Sequence, residues 1–167
     1  LIIDDDNAAT DEILSFTLNA GTVAWGENEA TGRGTNTING GTIESLNNNL
    51  NVSEAFVINN DFSMVGCQDF RISGTIDLGV GVRTFTQNAT DFFRQTGVMS
   101  NGGLIKEGAG EIRLEGNNTY ACGLTLRAGE VDFRHNNGAG SGLFTIDATA
   151  CAKTVAYNND GSDIGKC

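Results

Sequence analysis

The stretch from Gly102 to Phe133, GGLIKEGAGEIRLEGNNTYACGLTLRAGEVDF, decides how the rest of the chain is read. It holds short runs in which apolar and polar residues alternate, separated by glycine and asparagine. Ile112 and Leu114 alternate with Glu111, Arg113 and Glu115; Leu124 and Leu126 flank Thr125; Val131 and Phe133 flank Asp132. A period of two is the signature of a strand with one face inward. Each run supplies too few inward residues for a free-standing hairpin, so the stretch reads as one winding that buries its face only by stacking on similar windings.

The neighbouring sequence repeats the pattern irregularly. A glycine, a polar residue and an aliphatic restart the alternation at Gly21-Thr22-Val23, Gly41-Thr42-Ile43, Gly74-Thr75-Ile76, Gly110-Glu111-Ile112 and Gly129-Glu130-Val131. Their separations of 20, 33, 36 and 19 residues suggest a degenerate unit of about 20 residues. Asparagine pairs at Asn117-Asn118, Asn136-Asn137 and Asn158-Asn159 lie 19 and 22 residues apart. Asparagine tolerates the left-handed backbone of a sharp corner, and stacked amides bond along a ladder. Further short strands are expected around Val52, Phe56–Ile58, Phe62–Val65, Phe70–Ile72, Ile76–Leu78, Val82–Phe85, Phe92–Phe93 and Val98–Met99, and almost no stretch carries the spacing of an amphipathic helix.

Composition agrees with many tight turns and an exposed, acidic surface. Glycine contributes 23 of the 167 residues and proline none, which excludes collagen and proline-rich linkers. The formal net charge of −11 would repel phosphate backbones, and no basic patch opposes it, so nucleic acid is not an expected partner. No run approaches the roughly 20 apolar residues of a membrane-spanning helix. The chain starts at Leu1 without a leader, as in a processed protein or a piece of a longer one. Cys67, Cys122, Cys151 and Cys167 are disulfide candidates whose pairing sequence leaves open, and Cys167 would alternatively bond a neighbouring molecule. With no CxxC and His135 as the single histidine, a Cys/His zinc site lacks its spacing. Asn51, Asn88 and Asn117 match the N-glycosylation pattern.

Within the opening stretch, Gly103, Leu104, Lys106, Gly108, Gly110, Ile112, Leu114, Gly116, Asn118, Thr119, Tyr120, Gly123, Thr125, Gly129 and Val131 follow a recognisable order. It resembles the autotransporter-associated β-strand repeat of secreted bacterial surface proteins. Cys122 departs from that pattern, where the repeat usually keeps a small residue. The resemblance implies export and a right-handed parallel β-helix. It brings no catalytic residues, because the repeat is structural.

Candidate chemistry is sparse. Cleavage of a glycosidic bond needs two carboxylates about 5 to 9.5 Å apart. Glu111 with Glu130 or Asp132, one period on, is the best such pair, and its expected outward setting among Arg113, Arg127 and Arg134 reads as solvated ion pairing. Asp4, Asp5, Asp6, Asp11 and Glu12 lack the spacing of an EF-hand and read as a solvated turn. Gly138–Gly142 and Gly161–Lys166 read as turns rather than phosphate loops. Trp25, Tyr120, Phe92 and Phe93 would form a carbohydrate platform only if exposed, and the strand phase puts most aromatics in the core.

The expectation is therefore an all-β, right-handed parallel β-helix of roughly seven irregular windings, one domain over residues 1–167, with a cap or strand at 1–12 and a tail or cap at 158–167. Its function is expected to be structural and non-enzymatic: a secreted or cell-surface stalk, adhesin or fibre subunit without cofactor or metal. Self-association through the strand edges at its ends is expected, with a host or matrix surface as a further partner. A carbohydrate-binding or polysaccharide-cleaving β-helix is the alternative.

Overall fold

In the computed structural model, residues 1–3, 15–28, 34–66 and 68–147 are described, together with the backbone of residues 153–157 and 162–166. The described residues contain strands and no helix. Three sheets form the sides of a β-solenoid of about six turns. Sheet A stacks Ile2–Ile3, Thr22–Trp25, Thr42–Ser45, Phe62–Gly66, Val82–Gln87, Gly103–Glu107, Leu124–Leu126 and Phe144–Ile146, all parallel. Sheet B stacks Thr17–Leu18, Thr35–Ile38, Ala55–Ile58, Ile76–Asp77 and Met99–Ser100. Sheet C runs from Leu50–Val52 through Phe70–Ile72, Phe93–Gln95, Glu111–Leu114 and Gly129–Phe133 to Lys153–Tyr157. On that last strand Ser162–Lys166 folds back antiparallel, so these residues pair with sheet C instead of adding a parallel strand. The roughly seven windings expected from length counted these residues as well. The same strand overturns the reading of Gly161–Lys166 as a turn, since residues 162–166 are extended and paired.

The step along sheet A from Thr22 onward varies from 20 residues, Thr22 to Thr42, to 23, Phe62 to Phe85. Loop length at the corners absorbs the difference, so the repeat is irregular in sequence while the ladder stays in register. The glycine restarts do not all mark one side of the coil. Gly21 and Gly41 precede strands of sheet A, Gly74 precedes sheet B, and Gly110 and Gly129 lead into sheet C. Separations of 33 and 36 residues are thus passages to a different side.

Alternation along each strand sends one residue in two to the axis. Burial follows it in Thr42–Ser45, Leu50–Val52, Phe70–Ile72 and Glu111–Leu114. The inward residues form one continuous apolar cluster from Ile3 to Phe133. Trp25 anchors its early windings, with Phe16, Phe56 and Phe70 at ring distances of 5.2, 6.2 and 5.6 Å. Packing leaves an interior void of only about 10 Å³, so the axis is a filled core and not a channel.

Corners need residues that let windings approach. Gly74, Gly97 and Gly116 stand above one another, and a Cβ on any of them would lie 1.9 Å from a carbonyl oxygen one winding earlier: Glu54, Gly74 and Gly97 respectively. Asparagines at other corners bond in register. The amide of Asn39 donates to Asn19 Oδ1 at 2.8 Å, Asn59 to Asn39 at 2.9 Å, and Asn137 to Asn117 at 2.7 Å.

Candidate functional site

The carboxylates expected to approach one another do so on sheet C, where Glu111 lies directly opposite Glu130 and Arg113 opposite Asp132. Period-two alternation puts all four on the outward face. Their partners determine their chemistry. Both oxygens of Glu111 accept from Arg113, and the Arg113 guanidinium also covers the Phe92 ring at 3.3 Å from its centre. Glu115, two residues on, is held by Arg94 through bonds of 3.0 and 2.9 Å.

Asp132 corrects the expectation of a solvated carboxylate. Its side chain is 3% exposed, because Arg134 and Arg113 close over it from the same face at 2.6 and 3.9 Å. Hydrogen bonding to Asp132 in turn raises the Arg134 pKa, so the guanidinium stays charged. Arg127 does not join the group: it follows sheet A and pairs with Glu107 at 3.0 Å and Asp147 at 3.7 Å. The geometry therefore offers adjacent carboxylates bound to arginine. A general acid needs the opposite environment, one that keeps a carboxyl protonated.

His135 closes a turn, its Nδ1 accepting from the Asn137 amide at 3.0 Å. Gly138–Gly142 forms turns, as expected. Trp25 and Tyr120 are fully buried and Phe93 nearly so, while Phe92 is half-buried beneath Arg113, so they make no exposed platform. Of the three glycosylation sequons, Asn88 and Asn117 are exposed; Asn51 is half-buried with its Oδ1 enclosed. Cys122 is an exposed thiol, and Cys67, Cys151 and Cys167 lie outside the described residues. The acidic run Asp4, Asp5, Asp6, Asp11 and Glu12 and the pair Asn158-Asn159 also lie outside them. Among the described residues no three His, Cys, Asp or Glu side chains cluster as a metal site would require, and no helix is long and apolar enough to cross a membrane.

Several polar groups are buried in the architecture, among them Lys106 and Asn118. Lys106 is enclosed, and its ammonium donates to the carbonyls of Glu107, Gly108 and Ala128 at 2.7, 2.9 and 3.1 Å. Burial brings its pKa down to about 8 against an opposing contribution from Glu107. Asn118 is the second: its Oδ1 accepts from Gln95 Nε2 and from the Met99 amide at 2.8 Å each, and its Nδ2 donates to Gln95 Oε1 at 3.0 Å and Gly138 O at 2.8 Å. Tyr120 donates to the same Gly138 carbonyl at 3.0 Å, and burial pushes its pKa upward. Alternation marks Lys106 as lying in phase with Leu104, a signal for an inward lysine that charge alone would hide.

No family model matches the chain, and neither the curated proteins nor the solved structures contain a match to it.

Proposed function

We propose that the chain is a non-enzymatic structural module of a secreted or cell-surface protein, a stalk, adhesin or fibre segment related to the autotransporter-associated repeat. The observation that carries this reading is the state of its outward carboxylates. Glu111 and Asp132 are each engaged by an arginine two residues on, and Glu115 by Arg94 of the preceding winding, so these carboxylates stand in ion pairs along the outer face of sheet C. A continuous core and amide ladders join successive windings. Export rests on the resemblance over residues 103–131 and on composition.

End-to-end stacking belongs to the proposal. Among the described residues, sheet A ends at Ile2–Ile3 on one side and at Phe144–Ile146 on the other. Leu143 and Ile146 near the second edge are exposed. An open parallel edge accepts another strand, whereas Ser162–Lys166 already covers sheet C.

Two measurements test this. Incubation with neutral and uronate-containing polysaccharides should release neither reducing ends nor unsaturated uronates, and turnover that depends on Glu111 or Glu130 sinks the structural reading. Negative-stain microscopy should show rods that lengthen with concentration; uniform monomers under both oxidising and reducing conditions sink the stacking.

A further inference from the structure

Sheet B stops at Met99–Ser100 while sheets A and C continue. In the next winding residues 117–121 form no strand. The Met99 amide is taken by the Asn118 side chain, and the Thr119 amide bonds to the Met99 carbonyl at 2.9 Å. Beside this interruption, the corners at Gly79 and Asn101-Gly102 adopt left-handed backbone, with φ of 67°, 59° and 41°. The result is an open cleft of about 590 Å³ that includes Asp77, Val80, Asn101, Thr119 and Cys122 in its walls. That volume lies in the range of small-molecule sites.

Asp77 is the single charged residue of the lining, with no arginine or lysine opposite it. Its Oδ1 accepts from the Gly79 amide and from Asn101 Nδ2, both at 2.8 Å, which fixes the carboxylate in position. The same bonds, that of Asn101 first, hold its pKa below the usual carboxylate range, so it is an acceptor at neutral pH. Oδ2 has no partner among the described residues. The Thr119 hydroxyl and the Asn101 amide oxygen add hydrogen-bonding groups on an exposed surface. Val80 is 99% exposed, an isolated apolar surface beside these polar groups.

These features select by chemistry. An anionic ligand meets the Asp77 carboxylate in the lining and a net charge of −11, with the Arg83 guanidinium beside Gly79 as a nearby cation. A purely apolar ligand would strip water from the carboxylate without replacing its hydrogen bonds. A ligand dense in hydroxyl donors, with a C–H face to lie on Val80, satisfies both. We infer that the cleft between the Gly79–Val80 and Asn101–Gly102 corners and residues 119–122 is a binding site for a neutral saccharide. The site goes beyond the structural role proposed above and is independent of whether the module stacks.

The test titrates the isotopically labelled chain with the neutral disaccharides lactose, maltose and cellobiose, with glucuronate and with methylammonium chloride, following backbone amide shifts. At least one neutral disaccharide should shift Gly79, Val80, Asn101, Gly102 and Cys122, and should slow alkylation of Cys122 read by peptide mass spectrometry. The near-isosteric Asp77→Asn should weaken that binding about tenfold, the scale of one charge-assisted hydrogen bond, and Val80→Asp, at a position 99% exposed, should weaken it by removing the C–H contact face, with its melting transition unchanged. Absence of shifts with all three disaccharides, shifts centred elsewhere, equal binding of glucuronate or methylammonium, or full retention of binding in Val80→Asp overturns the proposal.

Discussion

Lys106 Nζ lies 3.1 Å from the carbonyl oxygen of Ala128, one winding further along the chain. With the carbonyls of Glu107 and Gly108 it makes a three-point bridge between windings inside the protein. Lys106→Met keeps most of the volume and deprives three carbonyls of their donor. A loss of about 1–3 kcal/mol is expected in denaturant unfolding, and a loss under 0.5 kcal/mol would remove the bridge from the account of stability.

The same lysine gives stability a pH dependence with a defined sign. Its folded pKa of about 8 lies below the ordinary 10.5, so the folded state releases this proton before the unfolded state does. The cost of burying the charge is fully present below about pH 8 and is relieved as pH rises towards 10.5. Tyr120 acts oppositely above its ordinary value of 10.0, because burial keeps it neutral while the unfolded tyrosine ionises. Comparing wild type with Lys106→Met at each pH isolates the lysine: the wild type should gain on the variant between about pH 8 and 10, and a constant difference contradicts the assignment.

Gly97 tests the stacked corner. A methyl group there would sit 1.9 Å from the Gly74 carbonyl, and the obstacle is backbone that cannot rotate away. Gly97→Ala should cost more than about 3 kcal/mol or prevent folding, at the severe end of single substitutions. Gly21→Ala meets nothing within 4 Å, although its φ of 83° strains any side chain, so a smaller loss of about 1 kcal/mol is expected. Chevron or thermal unfolding of the two variants side by side would reveal a reversed order.

Asn117 and Asn118 are neighbours of the same type with different consequences. Asn118→Ala removes four hydrogen bonds from a buried site and should cost about 2–4 kcal/mol. Asn117 is exposed and accepts a single bond from Asn137, so Asn117→Ala should change stability by less than about 1 kcal/mol. Equal losses would mean that the outer amide ladder, and not the inner network, carries the corner.

Glu111→Gln breaks a partly exposed pair with Arg113. Surface pairs contribute about 0–1 kcal/mol and are screened by salt. The difference from wild type should be of that size in low salt and shrink in 1 M salt, measured by urea titration; a salt-independent loss of several kcal/mol would show that the pair is effectively buried.

How much was legible in the sequence depends on the range of the interaction. Ile112, Leu114, Val131 and Phe133 announce their inward face through period two, and all are buried. Asp132 shares the outward phase of Arg113, yet it is enclosed, because burial there depends on where two long arginines from different positions lie. Arg127 is close in sequence to Glu130 but belongs to another side of the coil.

The amino-acid sequence by itself determined that the described residues form short strands without helix and that these must stack to bury their apolar faces, since alternation and turn residues act within a few positions. Which side of the solenoid each strand joins was decided by tertiary structure, as Gly41, Gly74 and Gly110 leading into three different sheets makes plain. So were the Ala128 carbonyl that Lys106 reaches and the cleft at Asp77. Both depend on contacts between residues about 20 positions apart, set by loop lengths and register that no local pattern encodes.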